Sequence, residues 1–227
     1  MPYTIIQPPF TLEFREMPKP ELKSYCAWFM TKKKITAAEL MAKLNADPEF
    51  AAKRAREEEE RQKREAEYRR AEAPLVEELR AAGFQIQSAW DLVNTPGSYP
   101  KALPILLAHL ARPYPGPVRE GIGRALAVPE AKFGWAVLTR LYREEPETRV
   151  RSGLAAAIAA AADDTVIDDV IGLASDTRHG SSRLLLLSAL ERSADPRART
   201  ALMELGTDPE LAKEIQLILR RLRRTKR

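Results

Sequence analysis

Catalysis in a chain of 227 residues has to start from its nucleophiles, bases and metal ligands, and here these are few. The only histidines are His109 and His179, far apart in sequence, so no pair at i,i+3 or i,i+4 can hold a metal on one helix face. His109 lies in an Ala-Leu-rich stretch and reads as a packed or half-exposed side chain. Cys26 stands beside Tyr25 and Trp28 on an apolar face, which favours an inert thiol over a nucleophile. His179-Gly180-Ser181-Ser182 lacks the preceding strand of a nucleophile elbow. No Walker-type loop or dinucleotide-binding glycine fingerprint is present. These residues predict a non-enzyme with no cofactor and no metal.

The charged residues offer binding rather than catalysis. Arg119, Arg151 and Arg183 recur at a spacing of 32 residues. Such a ladder can grip phosphates or a partner's carboxylates, because guanidinium forms bidentate pairs with both. It can equally pair with acidic turn residues of its own chain, and that structural reading is the favoured one. Glu120, Arg124 and Arg149 fall outside the apolar period and are surface candidates of equal standing. In Asp163-Asp164-Thr165-Val166-Ile167-Asp168-Asp169, Asp164 and Asp168 are placed to share a helix face that would attract a basic partner. The plainer reading is a capping aspartate followed by acids that favour the positive end of a helix.

These residues have to be positioned by three regions. Residues 1–46 read as a small cap of strands and helices. Phe10 to Arg15 alternates apolar and polar, Tyr3 to Ile6 could add a second strand, and a helix starting at Pro20 would group Leu22, Tyr25, Cys26 and Phe29. Thr36 and Glu39 form a capping box, with Ile35 and Leu40 placed for a hydrophobic staple. Residues 47–82 form a charged helical arm, opened by an Asp47 cap and Pro48. Between Lys53 and Glu72, 15 of 20 residues are charged with no apolar seam, which gives a solvated helix and not a coiled coil. Pro74 is expected to interrupt or kink it, and Gly83 to stop it.

Residues 83–227 repeat themselves. Val118–Leu126 aligns with Val150–Ile158 and with Ser182–Leu190, and a shorter fourth copy puts Ile215, Ile218 and Leu219 where Leu186, Ala189 and Leu190 stand. Each follows another apolar helix, around Ile105–Leu110, Val137–Leu141, Val170–Leu173 and Ala201–Leu205. Two helices in about 30 residues predict a helical-hairpin solenoid whose units bury their faces only by stacking. Over residues 99–224 the chain resembles the HEAT-repeat family, best at Glu147-Thr148-Arg149-Val150-Arg151, where an acidic turn precedes a Val-Arg pair. The resemblance implies that the second helices, which carry the arginine ladder, line a concave side. The third copy departs from the pattern, with Ser182 in place of a buried Val and four leucines at Leu184–Leu187. The fold class expected is therefore mainly α: a short HEAT-like solenoid with a long charged helix and a small N-terminal strand-and-helix cap.

Charge narrows the function classes. The formal charge is +5 with a pI near 9.3, yet residues 220–227 alone hold six positive charges. Residues 75–219 carry 16 basic and 19 acidic residues, so the body is slightly negative and no broad cationic surface is implied. A single cysteine fits a reducing compartment, no apolar run is long enough for a bilayer span, and no signal-peptide pattern opens the chain. A cytoplasmic protein without membrane contact is expected. HEAT stacks serve as scaffolds, adaptors, inhibitors and, rarely, enzymes; with no catalytic constellation in sight, the leading expectation is a non-enzymatic protein-binding module, most concretely a bacterial inhibitor or immunity-type protein whose partner is a toxin. The alternative is nucleic-acid binding in the manner of HEAT-like DNA glycosylases, using the arginine ladder, Trp90, Trp135 and the basic C-terminal end. No chromophore-site signature supports a tetrapyrrole lyase.

Overall fold

The computed structural model describes residues 36–224, and among them the chain is mainly helical, with eleven α-helices and no strand. The strands expected at residues 3–15, the helix from Pro20, the staple of Ile35 on Leu40 and the last three residues of the basic tail lie outside what is described. The chain divides into two compact units between Glu60 and Arg61.

In the first unit, α1 (Ala37–Ala46) opens with the expected capping box. The Glu39 amide donates to Thr36 Oγ1 at 3.2 Å, and Glu39 Oε2 accepts from the Thr36 amide at 2.9 Å. Asp47 then caps the next helix, α2 (Pro48–Ala81), by accepting from the Glu49 amide at 2.9 Å. The helix continues through Pro74, so of the expected interruption or kink the interruption does not occur. Proline forfeits one ladder hydrogen bond, but Leu75, Val76 and Leu79 immediately beyond it are buried and hold the last turns in place. Gly83, with φ at +99°, ends the helix in a Schellman motif. The Phe84 amide reaches Leu79 O at 3.1 Å, and the Gly83 amide reaches Arg80 O at 3.0 Å.

The second unit continues with α3 (Ala89–Val93), α4 (Leu103–Leu110), α5 (Gly116–Ala125), α6 (Trp135–Glu144), α7 (Thr148–Ala161), α8 (Ile167–Ser175), α9 (Arg183–Arg192), α10 (Pro196–Leu205) and α11 (Ala212–Arg224). Their packing follows the repeat. α4 lies on α5, α6 on α7, α8 on α9 and α10 on α11, while α3, α5, α7, α9 and α11 also pack each on the next. One continuous core runs through them, from Leu75 to Ile218.

α5 and α7 approach each other closely. A Cβ at Gly123 would come within 2.8 Å of the Gly153 backbone, and a Cβ at Gly153 within 2.8 Å of the Glu120 carbonyl. The two helices meet backbone to backbone at these glycines. Further along, Ser182 explains its own departure from the pattern. Its hydroxyl donates to His179 O at 2.7 Å, so at 2.9 Å the buried Tyr142 hydroxyl has to donate to Ser182 Oγ. Leu186 and Leu187 are buried, and Leu184 and Leu185 are partly buried against the same core.

Two stability outcomes follow from these contacts. Gly153→Ala should lower the unfolding free energy by about 1–3 kcal/mol in urea titrations, because the added methyl meets backbone that cannot swing away. Ser182→Val would restore the repeat pattern yet should cost about 1–3 kcal/mol by stranding the Tyr142 hydroxyl. Adding Tyr142→Phe should recover much of that loss, and the double-mutant cycle measures the coupling.

Candidate binding surface

The arginine ladder is turned inward. Arg119 Nη2 meets the buried Glu145 carboxylate at 2.5 Å. Arg151 donates to the Glu145 carbonyl from Nε at 3.0 Å and reaches the Arg178 and His179 carbonyls at 3.5 Å. Arg183 is 1% exposed and donates to Gly180 O, to Asp208 Oδ2 at 2.6 Å and to Glu210 Oε2 at 2.6 Å. Arg151 and Arg183 thus tie their helix starts to surrounding turns, where helix ends leave carbonyls without partners, while Arg119 meets a carboxylate and its buried Nε has no partner among the described residues. The Arg183 hydrogen bond holds the Asp208 carboxyl below its usual range.

The acidic run is divided in the same way. Asp163 caps the turn by accepting from the Thr165 amide at 3.0 Å, and its ion pair with Lys132 pulls its carboxyl down to about 2. Asp164 lies in a short 3₁₀ turn, Asp164–Val166, and α8 begins only at Ile167, so Asp164 and Asp168 do not share one α-helical face as expected. The cap at Asp163 sets this break. Asp164 accepts from Ser193 Oγ at 2.6 Å, Asp168 pairs with Arg197 at 2.6 Å, and Asp169 accepts from Trp135 Nε1 at 2.8 Å. The cluster bonds to the neighbouring hairpins.

His109 is fully buried. Its Nε2 lies 2.8 Å from Glu78 Oε2 and its Nδ1 2.7 Å from the Tyr114 hydroxyl, with the two rings stacked. His179 packs at 4.5 Å from the Tyr142 ring, and burial holds its imidazole below the usual pKa against the pull of Asp176.

Three of the sequence candidates do come together on the surface. Glu120 pairs with Arg124 at 3.0 Å along α5 and with Arg149 of α7 at 3.6 Å. The Arg149 side chain remains 56% exposed. Pro117, Glu120, Gly121 and Arg124 stand at i, i+3, i+4 and i+7, which is one side of α5. That side leads into a cleft of about 290 Å³ lined by Tyr68, Glu72, Trp90, Asp91 and Pro117, among others. The Trp90 indole donates to Pro117 O at 3.4 Å and lies against Gly121, where any side chain would collide with it.

Glu72 is the residue that sequence reasoning missed. It is 4% exposed, accepts from the Ala89 amide at 2.6 Å and from the Ser88 hydroxyl at 3.0 Å, and so joins α2 to the start of α3. Burial pushes its carboxyl above the usual range; the Ala89 and Ser88 bonds pull it back, and the Asp91 charge adds to the rise. Its place in a run of exposed charges gave no sign of this. The one available signal was position: Glu72, Leu75, Val76 and Leu79 share the buried stripe.

The sign of the resulting pH dependence is fixed. A folded carboxyl that holds its proton more tightly than the unfolded one loses stability as pH rises through the window between the two pKa values. Glu72→Gln keeps an acceptor for Ala89 and removes that loss. Urea unfolding at about pH 4 and about pH 7 should therefore show the variant faring better relative to wild type at the higher pH.

In comparison with known proteins, the chain matches no family model, no curated protein and no solved structure.

Proposed function

We propose that residues 99–224 form a HEAT-like stack of helical hairpins and that the chain is a non-enzymatic protein-binding module. The repeat of 32 residues and the side-by-side packing of α5, α7 and α9 support the stack. The observation that carries the binding reading is the surface on α5 and α7. There Glu120, Arg124 and the largely exposed Arg149 adjoin an aromatic and acidic cleft, so both signs of charge and two rings are offered within one patch. Arginine and aromatic side chains of this kind anchor protein partners. An inhibitor of the immunity type, held in the cytoplasm and directed at a toxin, is the concrete form of the proposal. Among the described residues no helix is long and apolar enough to cross a membrane.

The nucleic-acid alternative needs free cations. The ladder arginines have intramolecular acceptors at each position, which favours the protein partner. Capture from source cells at physiological salt, with and without nuclease, tests the two. A stoichiometric protein should survive nuclease and should be lost when Arg149→Glu is the bait, since that change sets two carboxylates side by side at Glu120. Recovery that vanishes with nuclease, or a captured protein indifferent to Arg149→Glu, would overturn the proposal. For the immunity form, co-expression should protect cells from the captured partner.

A further inference from the structure

The cleft between α2 and α3 has a chemical bias that the patch around it lacks. Three carboxylates line it, from Glu65, Glu72 and Asp91, against the single guanidinium of Arg69. Glu65 is drawn partly to Arg61 at 3.6 Å, and Asp91 Oδ2 accepts from the amides of Gln87 and Ser88. Glu72 takes its hydrogen bonds from neutral donors, the Ser88 hydroxyl and the Ala89 amide; among the described residues no cation pairs with it. A buried carboxylate without a counter-charge is costly, and a cation brought from outside would relieve the cost.

The remaining walls suit the same visitor. Tyr68 and Trp90 are half-buried and line the cleft beside Pro117 and Val118. The indole nitrogen is engaged with Pro117 O, which fixes the ring as a wall of the cleft. Aromatic faces attract guanidinium and ammonium groups, most strongly where water is excluded. The volume of about 290 Å³ holds one long side chain. The excess of carboxylates repels phosphate and so disfavours a nucleotide.

From this cavity, its two rings and its unpaired buried acid, we infer that the cleft is a pocket for one arginine or lysine side chain of a partner protein, with Tyr68 and Trp90 contacting the cation and Glu72, Glu65 and Asp91 supplying the charge. The inference rests on the protein-binding reading only for what carries the side chain. Pro117 lines the pocket and shares a side of α5 with Glu120 and Arg124, so the segment bearing the cation would run on over the Glu120–Arg124–Arg149 patch.

The test uses the full chain labelled with nitrogen-15, whose three tryptophans give three indole N–H signals; Trp90→Phe identifies that of Trp90. Titration with Nα-acetyl-arginine amide or Nα-acetyl-lysine amide should move the Trp90 signal saturably, with midpoints of about 1–10 mM for a single side chain. The uncharged Nα-acetyl-citrulline amide should leave it in place. Glu72→Gln should weaken binding about tenfold by removing one charged acceptor. Tyr68→Ala, at a half-buried position on α2, should weaken it comparably without touching the Glu72 bonds. Which of the two cations binds more tightly distinguishes arginine from lysine as the docked residue.

An unmoved Trp90 signal, or one moved equally by the citrulline amide, overturns the pocket. A captured partner lost with Arg149→Glu but retained by Tyr68→Ala and Glu72→Gln overturns the pocket and leaves the protein-binding reading intact. Saturable cation binding with no protein captured leaves the pocket intact and overturns the wider reading.

Discussion

The contact on which the rest of the row depends is the meeting of the α5 and α7 backbones at Gly123 and Gly153. A helix pair separated by side chains sits 8–10 Å apart, and glycine at both crossing points removes those spacers. The consequence is felt on both sides of the crossing. On the core side, Val118, Ile122, Val150 and Leu154 are buried. On the outer side, the shortened distance lets Arg149 of α7 reach Glu120 of α5, so the exposed patch follows from the same two residues that set the packing.

The arginine ladder is the second constraint and answers a problem common to closely packed short helices. Every helix end leaves carbonyls unsatisfied, and a succession of short helices multiplies such ends. Arg151 serves the carbonyls of Glu145, Arg178 and His179, and Arg183 serves those of Gly180 and Ala174 while pairing with Asp208 and Glu210. Burying Arg183 almost completely is tolerable because its charge meets two carboxylates and its other donors meet carbonyls. A lysine offers one compact charge with three donors and could not span these acceptors, which explains why arginine recurs at the position.

The helical class, the caps at Thr36 and Asp47 and the stop at Gly83 were legible because each depends on residues within a turn of one another. The ladder was legible as a period and as a structural pairing, but its particular acceptors were not: Arg183 and Asp208 lie 25 residues apart. Glu72 was hidden for the same reason. Its partners Ser88 and Ala89 are 16 and 17 residues away, and local charge density masked a buried position among solvated ones. At Pro74 the local rule allowed an interruption that does not occur, because Leu75, Val76 and Leu79 anchor the helix beyond it. At Asp164 and Asp168 the spacing suggested a common face, but the Asp163 cap closed a 3₁₀ turn and moved the start of the helix past Asp164.

Charge distribution links these details to the choice of partner. The formal excess of +5 is concentrated at the C-terminal end, where residues 220–227 hold six positive charges, and a formal count also leaves out the carboxylates that arginines meet in the fold. In the folded chain Arg119 faces Glu145, Arg183 faces Asp208 and Glu210, Arg197 faces Asp168 and Asp195, and Arg221 faces Glu191 and Glu214. An arginine so paired would have to leave its carboxylate before meeting a phosphate, which subtracts the energy of the old contact from the new one. The cleft at Glu72 reverses this arithmetic, since there the carboxylate is the group lacking a charged partner. A basic side chain entering it would make an ion pair without breaking one. Along the ladder, then, each arginine already has an acceptor within its own chain, whereas at the first cleft the buried Glu72 carboxylate bonds only neutral donors among the described residues.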